Sequence, residues 1–110
     1  MKSTKNNFIK KLNILDGIIV YNDFDIQENI PFEKQWYSYK EDMLQVQFGD
    51  RFILDVGWYP EDDQNGNFTV LAIENQDWMN PVSQIKCKTL DELKKAIEKT
   101  AKVITEKRKI

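Results

Sequence analysis

A chain of 110 residues, 41% hydrophobic, 12% aromatic and 31% charged, is long enough to bury one core and too apolar to remain disordered. Its single cysteine excludes an internal disulfide, and the absence of histidine removes the commonest general base and metal ligand. The net charge of −2 excludes a generally basic nucleic-acid binder, yet it hides an acidic body (14 acids and three bases in residues 12–85) between two basic ends.

Phe8, Ile9, Leu12 and Leu15 recur near helical spacing and predict a short N-terminal helix over Ser3–Leu15. Asn13 and Asp16 interrupt the apolar runs that follow, so this region reads as neither a signal peptide nor a membrane span. With the lone thiol, that suits a reducing cytoplasm. "GIIVYNDFDI" reads as a short strand ending in an acidic loop, and the stretch to Tyr39 as an aromatic, polar loop with helical turns. "MLQVQF" and "RFILDVGWY" alternate apolar and polar residues. Gly49-Asp50 between them suits a two-residue type II′ hairpin loop. "NFTVLAIE" is a further strand entered through the Asn65-Gly66 turn pair, and "SQIKCK" a shorter one. Thr89 and Glu92 fit a capping box for a final helix. Leu90, Leu93, Ala96, Ile97, Thr100, Ala101 and Ile104 form its apolar stripe, and Lys107, Arg108 and Lys109 complement its dipole.

These elements predict a single α+β domain over residues 1–110. An antiparallel meander of about four strands carries the C-terminal amphipathic helix on one face, a short N-terminal helix lies beside it, and the other face stays polar.

The residue inventory argues against catalysis. Ser3, Ser38 and Ser83 lie in no nucleophile motif, and no glycine-rich phosphate loop is present. Cys87 alternates with Lys86 and Lys88 as an inward, inert thiol would. Asp55, mid-strand, is the best candidate for a carboxylate mechanism, but alternation places it on the polar face as an exposed acid. Glu61-x-Asp63-x-Asn65-Gly66 resembles the first half of a calcium loop. It fails at the twelfth position, where Ala72 stands, and strands flank it instead of helices. No metal and no cofactor are expected.

The stretch "LDVGWYPEDDQNGNF" sets Glu61, Asp62 and Asp63 beside Trp58 and Tyr59. A solvated hairpin loop is the plain explanation. The aromatic neighbours favour a docking surface for a basic partner, with Trp58 in the core and Tyr59 and the Trp36–Tyr39 group harder to bury. The C-terminal lysines are interleaved with Glu98 and Glu106 and read as a solvated helix face.

The pattern Asp55-x-Gly57-Trp58-Tyr59-Pro60, then an acidic Asn-Gly turn, a strand, and Asp77-Trp78-x-x-Pro81, resembles small immunity proteins of bacterial contact-dependent growth inhibition and related polymorphic toxin systems. The resemblance covers about two thirds of the chain, within a group whose members share a task across several folds. It implies a cytoplasmic antitoxin that neutralises one cognate toxin, with a nuclease, specifically a ribonuclease, as the expected target. The complex would be 1:1, with no nucleic acid or membrane partner. On that reading Tyr59, Glu61, Asp62 and Asp63 contact the toxin, and Asp23, Asp25 and Glu28 form a second acidic lip. The alternatives are a small acidic adaptor domain without a toxin partner and a carboxylate enzyme built on Asp55.

Overall fold

A computed structural model describes residues 7–109. Its elements run α1 (Asn7–Lys10), β1 (Ile18–Asn22), two 3₁₀ turns (Phe32–Lys34 and Trp36–Ser38), β2 (Leu44–Phe48), β3 (Phe52–Tyr59), β4 (Asn67–Glu74), β5 (Ser83–Cys87) and α2 (Leu90–Arg108). The five strands pair in sequence order, each antiparallel to the next. The expected α+β meander with a C-terminal helix is present, with five strands where about four were counted. "IIVYN" is the short strand read at "GIIVYNDFDI"; it ends in the acidic loop as expected and adds the fifth strand, at the sheet edge.

The core follows from alternation. Leu44, Val46 and Phe48 of β2 face the same way as Phe52, Leu54, Val56 and Trp58 of β3, and as Phe68, Val70 and Ala72 of β4; all are buried. α2 lies against β3, β4 and β5, and Leu93, Ala96, Ile97, Thr100, Ala101 and Ile104 are buried along one stripe. Each fully buried Leu, Ile or Phe contributes roughly 1.5–3 kcal/mol relative to exposure. Trp58 is the aromatic keystone: Tyr39 and Phe68 meet it edge-on at 4.7 and 4.8 Å between ring centroids. Its indole Nε1 donates to the Asp63 carbonyl at 2.8 Å.

Several sequence expectations change. The N-terminal helix is a single turn, Asn7–Lys10, and Ser3–Asn6 of the expected span lie outside the described residues. Phe8 is buried and stacks on Phe24 at 4.9 Å, but Leu15 is exposed with a left-handed φ of 57°. Leu12 and Ile14 pack partly buried against the core from the loop that follows the single turn. The β2–β3 loop has three residues, Gly49–Arg51, since Phe48 pairs with Phe52; Gly49 does adopt positive φ, at 63°. The capping box is formed: Thr89 Oγ1 accepts from the Glu92 amide, and the Glu92 carboxylate accepts from the amides of Thr89 and Lys88.

The second sheet face is less open than alternation implies. Gly57, Thr69, Ile73 and Asp55 are all buried there. The physical cause at Gly57 is a backbone crossing. Before β2 begins, Trp58 N–H donates to the Lys40 carbonyl and Met43 N–H to the Val56 carbonyl. Glu41 and Asp42 are the extra residues between these two bonds, and they bulge over β3. A Cβ on Gly57 would collide with the Glu41 carbonyl oxygen, so only glycine fits.

Candidate functional site

Antiparallel pairing places the end of β1, the start of β2, the end of β3, the start of β4 and the start of α2 at one end of the sheet. The loops there, residues 23–43 and 60–66, carry nine carboxylates against two lysines. The β1 start, the β2–β3 loop and the C-terminus of α2, with Lys107, Arg108 and Lys109, occupy the opposite end. That end is mixed, since Asp16, Asp50, Glu74, Asp77 and Glu106 stand there with Arg51 and the α2 cations, so the excess of charge belongs to the acidic end alone.

The segment Tyr39–Met43 ties the two acidic loops together. On one side the Asp23 amide donates to the Met43 carbonyl at 2.8 Å, and Lys40 Nζ meets Asp23 Oδ2 at 2.7 Å. On the other, the Asp62 amide donates to the Tyr39 carbonyl at 3.0 Å, and Glu61 Oε1 accepts from the Glu41 amide at 3.3 Å. Tyr59 Oη donates to the Glu41 carbonyl at 3.1 Å. Asp23, Tyr59, Glu61 and Asp62 are thus attached to one five-residue spine. Asp25 lies close enough to Lys40 to help hold its ammonium charged, although the direct Asp23 hydrogen bond is the main reason its pKa is raised.

Glu28 lines a cleft of about 460 Å³ with Gln27, the spine residue Tyr39, Phe68 and the Lys88–Asp91 start of α2. Its loop is shaped by buried Gln35, whose amide donates to the Ile30 and Gln27 carbonyls and whose Oε1 accepts from the Gln27 amide. Asp63 is partly used inward: Oδ1 accepts from the Asn65 amide at 2.9 Å, an Asx turn that shapes the β3–β4 loop. Among the described residues, no group of three or more His, Cys, Asp or Glu side chains is arranged to hold a metal ion.

The exposed-acid reading of Asp55 is wrong. Its residue is 4% exposed, because it sits on the central strand between Gln45 of β2 and Leu71 of β4. Gln45 Nε2 donates to Asp55 Oδ1 at 3.0 Å. Burial raises its pKa, the Gln45 hydrogen bond opposes that, and the Asp42 charge adds to it. Tyr59, 37% exposed, is pushed up to about 12, first by burial and then by Asp55, Asp42 and Glu41. Glu41 and Asp42 thus belong to the acidic group, and the sequence reading passed over them. Their signal was two adjacent acids immediately before a strand whose end carries the other acidic loop.

Trp36 and Tyr37 are exposed at this same end, edge to face at 5.7 Å between centroids, while Tyr39 is half-buried against Trp58. Trp78 is exposed at the opposite end, in the β4–β5 connection. Cys87 is half-buried, and burial, aided by Glu92, pushes its thiol up to about 11. Among the described residues no helix is long and apolar enough to cross a membrane. Comparison with family models, curated proteins and solved structures finds no match for this chain.

Proposed function

We propose that this protein is an immunity protein that binds and neutralises a cognate bacterial toxin without catalysis, and that the toxin is a basic nuclease, specifically a ribonuclease. One observation carries the reading: the loops 23–43 and 60–66 bring nine carboxylates and the exposed Trp36–Tyr37 pair to one end of the sheet, against two lysines on those loops and Lys88 beside them. An enzyme that grips a polyanion presents cations and stacking surfaces. An inhibitor that offers carboxylates in place of phosphates and aromatic rings in place of bases competes on the same terms. Charge of this kind accelerates capture, and packed aromatics with desolvated pairs slow release. The motif likeness around Asp55–Pro60 and Asp77–Pro81 points the same way. The protein then acts in the cytoplasm of the cell that makes the toxin, as one copy per toxin domain.

The test is a calorimetric titration with the C-terminal domain of the protein encoded immediately upstream. A nanomolar 1:1 complex that weakens with salt supports both immunity and the acidic end. Nanomolar binding indifferent to salt keeps immunity and moves the contact to the aromatics. Absence of binding, together with failure to rescue growth when that domain is expressed, leaves the adaptor reading in its place.

A further inference from the structure

The cleft at the acidic end has two walls. One is the loop that carries Gln27, Glu28 and Ile30; the other is the Lys88–Asp91 start of α2, and Tyr39 and Phe68 complete a space of about 460 Å³. Both walls are fixed in the free chain. Gln35, 5% exposed, ties the loop through the Gln27 and Ile30 carbonyls, and the Thr89–Glu92 box closes the helix end. A site shaped in advance loses little freedom on binding.

Its polar groups divide into spent and unspent. Lys88 Nζ donates to the Gly66 carbonyl at 2.6 Å and lies 5.8 Å from the centre of the Trp58 ring. Glu92, beside the cleft, accepts from the Lys88 and Thr89 amides, and Thr89 Oγ1 accepts from the Glu92 amide. The helix end is therefore satisfied by its own side chains and offers an anion little. The carboxylates of Glu28 and Asp91 make no hydrogen bond or ion pair among the described residues, and neither does the Tyr39 hydroxyl. Ile30 and the half-buried Tyr39 and Leu90 add apolar surface, and the buried Phe68 ring braces Tyr39 at 5.9 Å between centroids.

Unpaired carboxylates on both walls, a phenol and apolar surface together suit a cation with a long apolar stem and several donors. Arginine meets that description: its stem packs on apolar surface, its planar guanidinium lies against an aromatic ring, and its N–H fork reaches several acceptors at once. Lysine brings a point charge without the plane, and an anion would meet Glu28 and Asp91 with Lys88 already engaged. We propose that this cleft receives an arginine side chain of the partner, held by Glu28 and Asp91 against Tyr39. That the arginine belongs to the toxin rests on the proposed function.

NMR of the full isotope-labelled chain, titrated with N-acetyl-arginine amide, tests the cleft without any toxin. The amides of Glu28 and of Lys88–Asp91 should shift together and saturate, with half-saturation on the order of 1–10 mM. N-acetyl-lysine amide should bind at least roughly threefold more weakly. The combined Glu28→Gln and Asp91→Asn variant breaks no side-chain bond within the described residues. It should keep its thermal unfolding nearly unchanged and weaken both the arginine probe and the toxin domain by about tenfold. Shifts that never saturate, or that spread equally over residues 61–63, overturn the proposal, since they report general attraction to the acidic end. So does saturable binding of acetate at the same amides, which makes the α2 start an anion site, and so does wild-type affinity for the arginine probe in the variant. Calorimetry separates this inference from the function beneath it. A toxin domain that binds wild type and variant equally tightly overturns the cleft as its arginine receptor and leaves immunity standing. A chain that takes the arginine probe in the cleft but binds no toxin domain supports the cleft and overturns immunity.

Discussion

Asp55 and Gly57 sit two residues apart on β3 and answer to opposite constraints. Asp55 is an acid that the fold has taken out of water. Its folded-state pKa lies above the unfolded value, so the folded chain holds the proton more tightly. The stability this contributes is present below the unfolded carboxylate pKa and is lost as pH rises through the folded one. Above that window the buried charge is a cost. Asp55→Asn keeps an acceptor for Gln45 and removes the charge. Its melting temperature should exceed wild type at neutral pH, with the advantage shrinking toward acid pH; a scan of thermal unfolding across pH checks this. Gly57→Ala should destabilise by about 1–3 kcal/mol in urea unfolding, because a methyl group there must displace the Glu41 backbone.

Elements depend on a few residues at their ends. The α2 start is closed by reciprocal hydrogen bonds between Thr89 and Glu92. Thr89→Ala should cost about 1 kcal/mol by chemical denaturation, with the sheet intact. The Glu92 carboxyl is held below its usual range by the Lys88 and Thr89 amides, so its contribution is present above the ordinary glutamate pKa and fades as pH falls through the lowered value. At the end of β5, the raised Cys87 pKa predicts slow alkylation. In the native protein iodoacetamide should react more slowly than with a free thiol by on the order of a hundredfold, and the difference should vanish in denaturant.

At the scale of the whole molecule, the meander converts sequence position into spatial polarity. Loops that leave odd strands and loops that enter even ones meet at the same end, and those loops hold the acids. The variants that test the docking end must respect its internal bonds. Glu61 accepts from the Glu41 amide, Asp63 from the Asn65 amide, and Asp62 holds a left-handed φ of 63° that asparagine tolerates. The combined Glu61→Gln, Asp62→Asn and Asp63→Asn variant therefore removes charge while keeping acceptors. It should bind the toxin domain at least tenfold more weakly, with a flatter salt dependence and nearly unchanged thermal unfolding. Wild-type affinity in that variant would take the β3–β4 loop out of the interface.

Local chemistry decided much of this protein from sequence alone. The inward-facing set of β2 to β4, the Thr89–Glu92 cap and the α2 stripe are set by neighbours two to four residues away, and they form as expected. The composition of the acidic loops was equally legible, because it is a property of the chain. The tertiary structure decided what depends on distant partners. Asp55 is buried because Gln45 and Leu71 flank it across two strands and Glu41 and Asp42 bulge above β3. Asp23 and Glu61 share a spine because the strand ends of a meander converge, a relation that spans 38 residues of sequence and leaves no local trace. β1 is exposed for the same reason: its residues read as a short strand, and its place at the sheet edge, away from the strands that α2 covers, leaves both faces open.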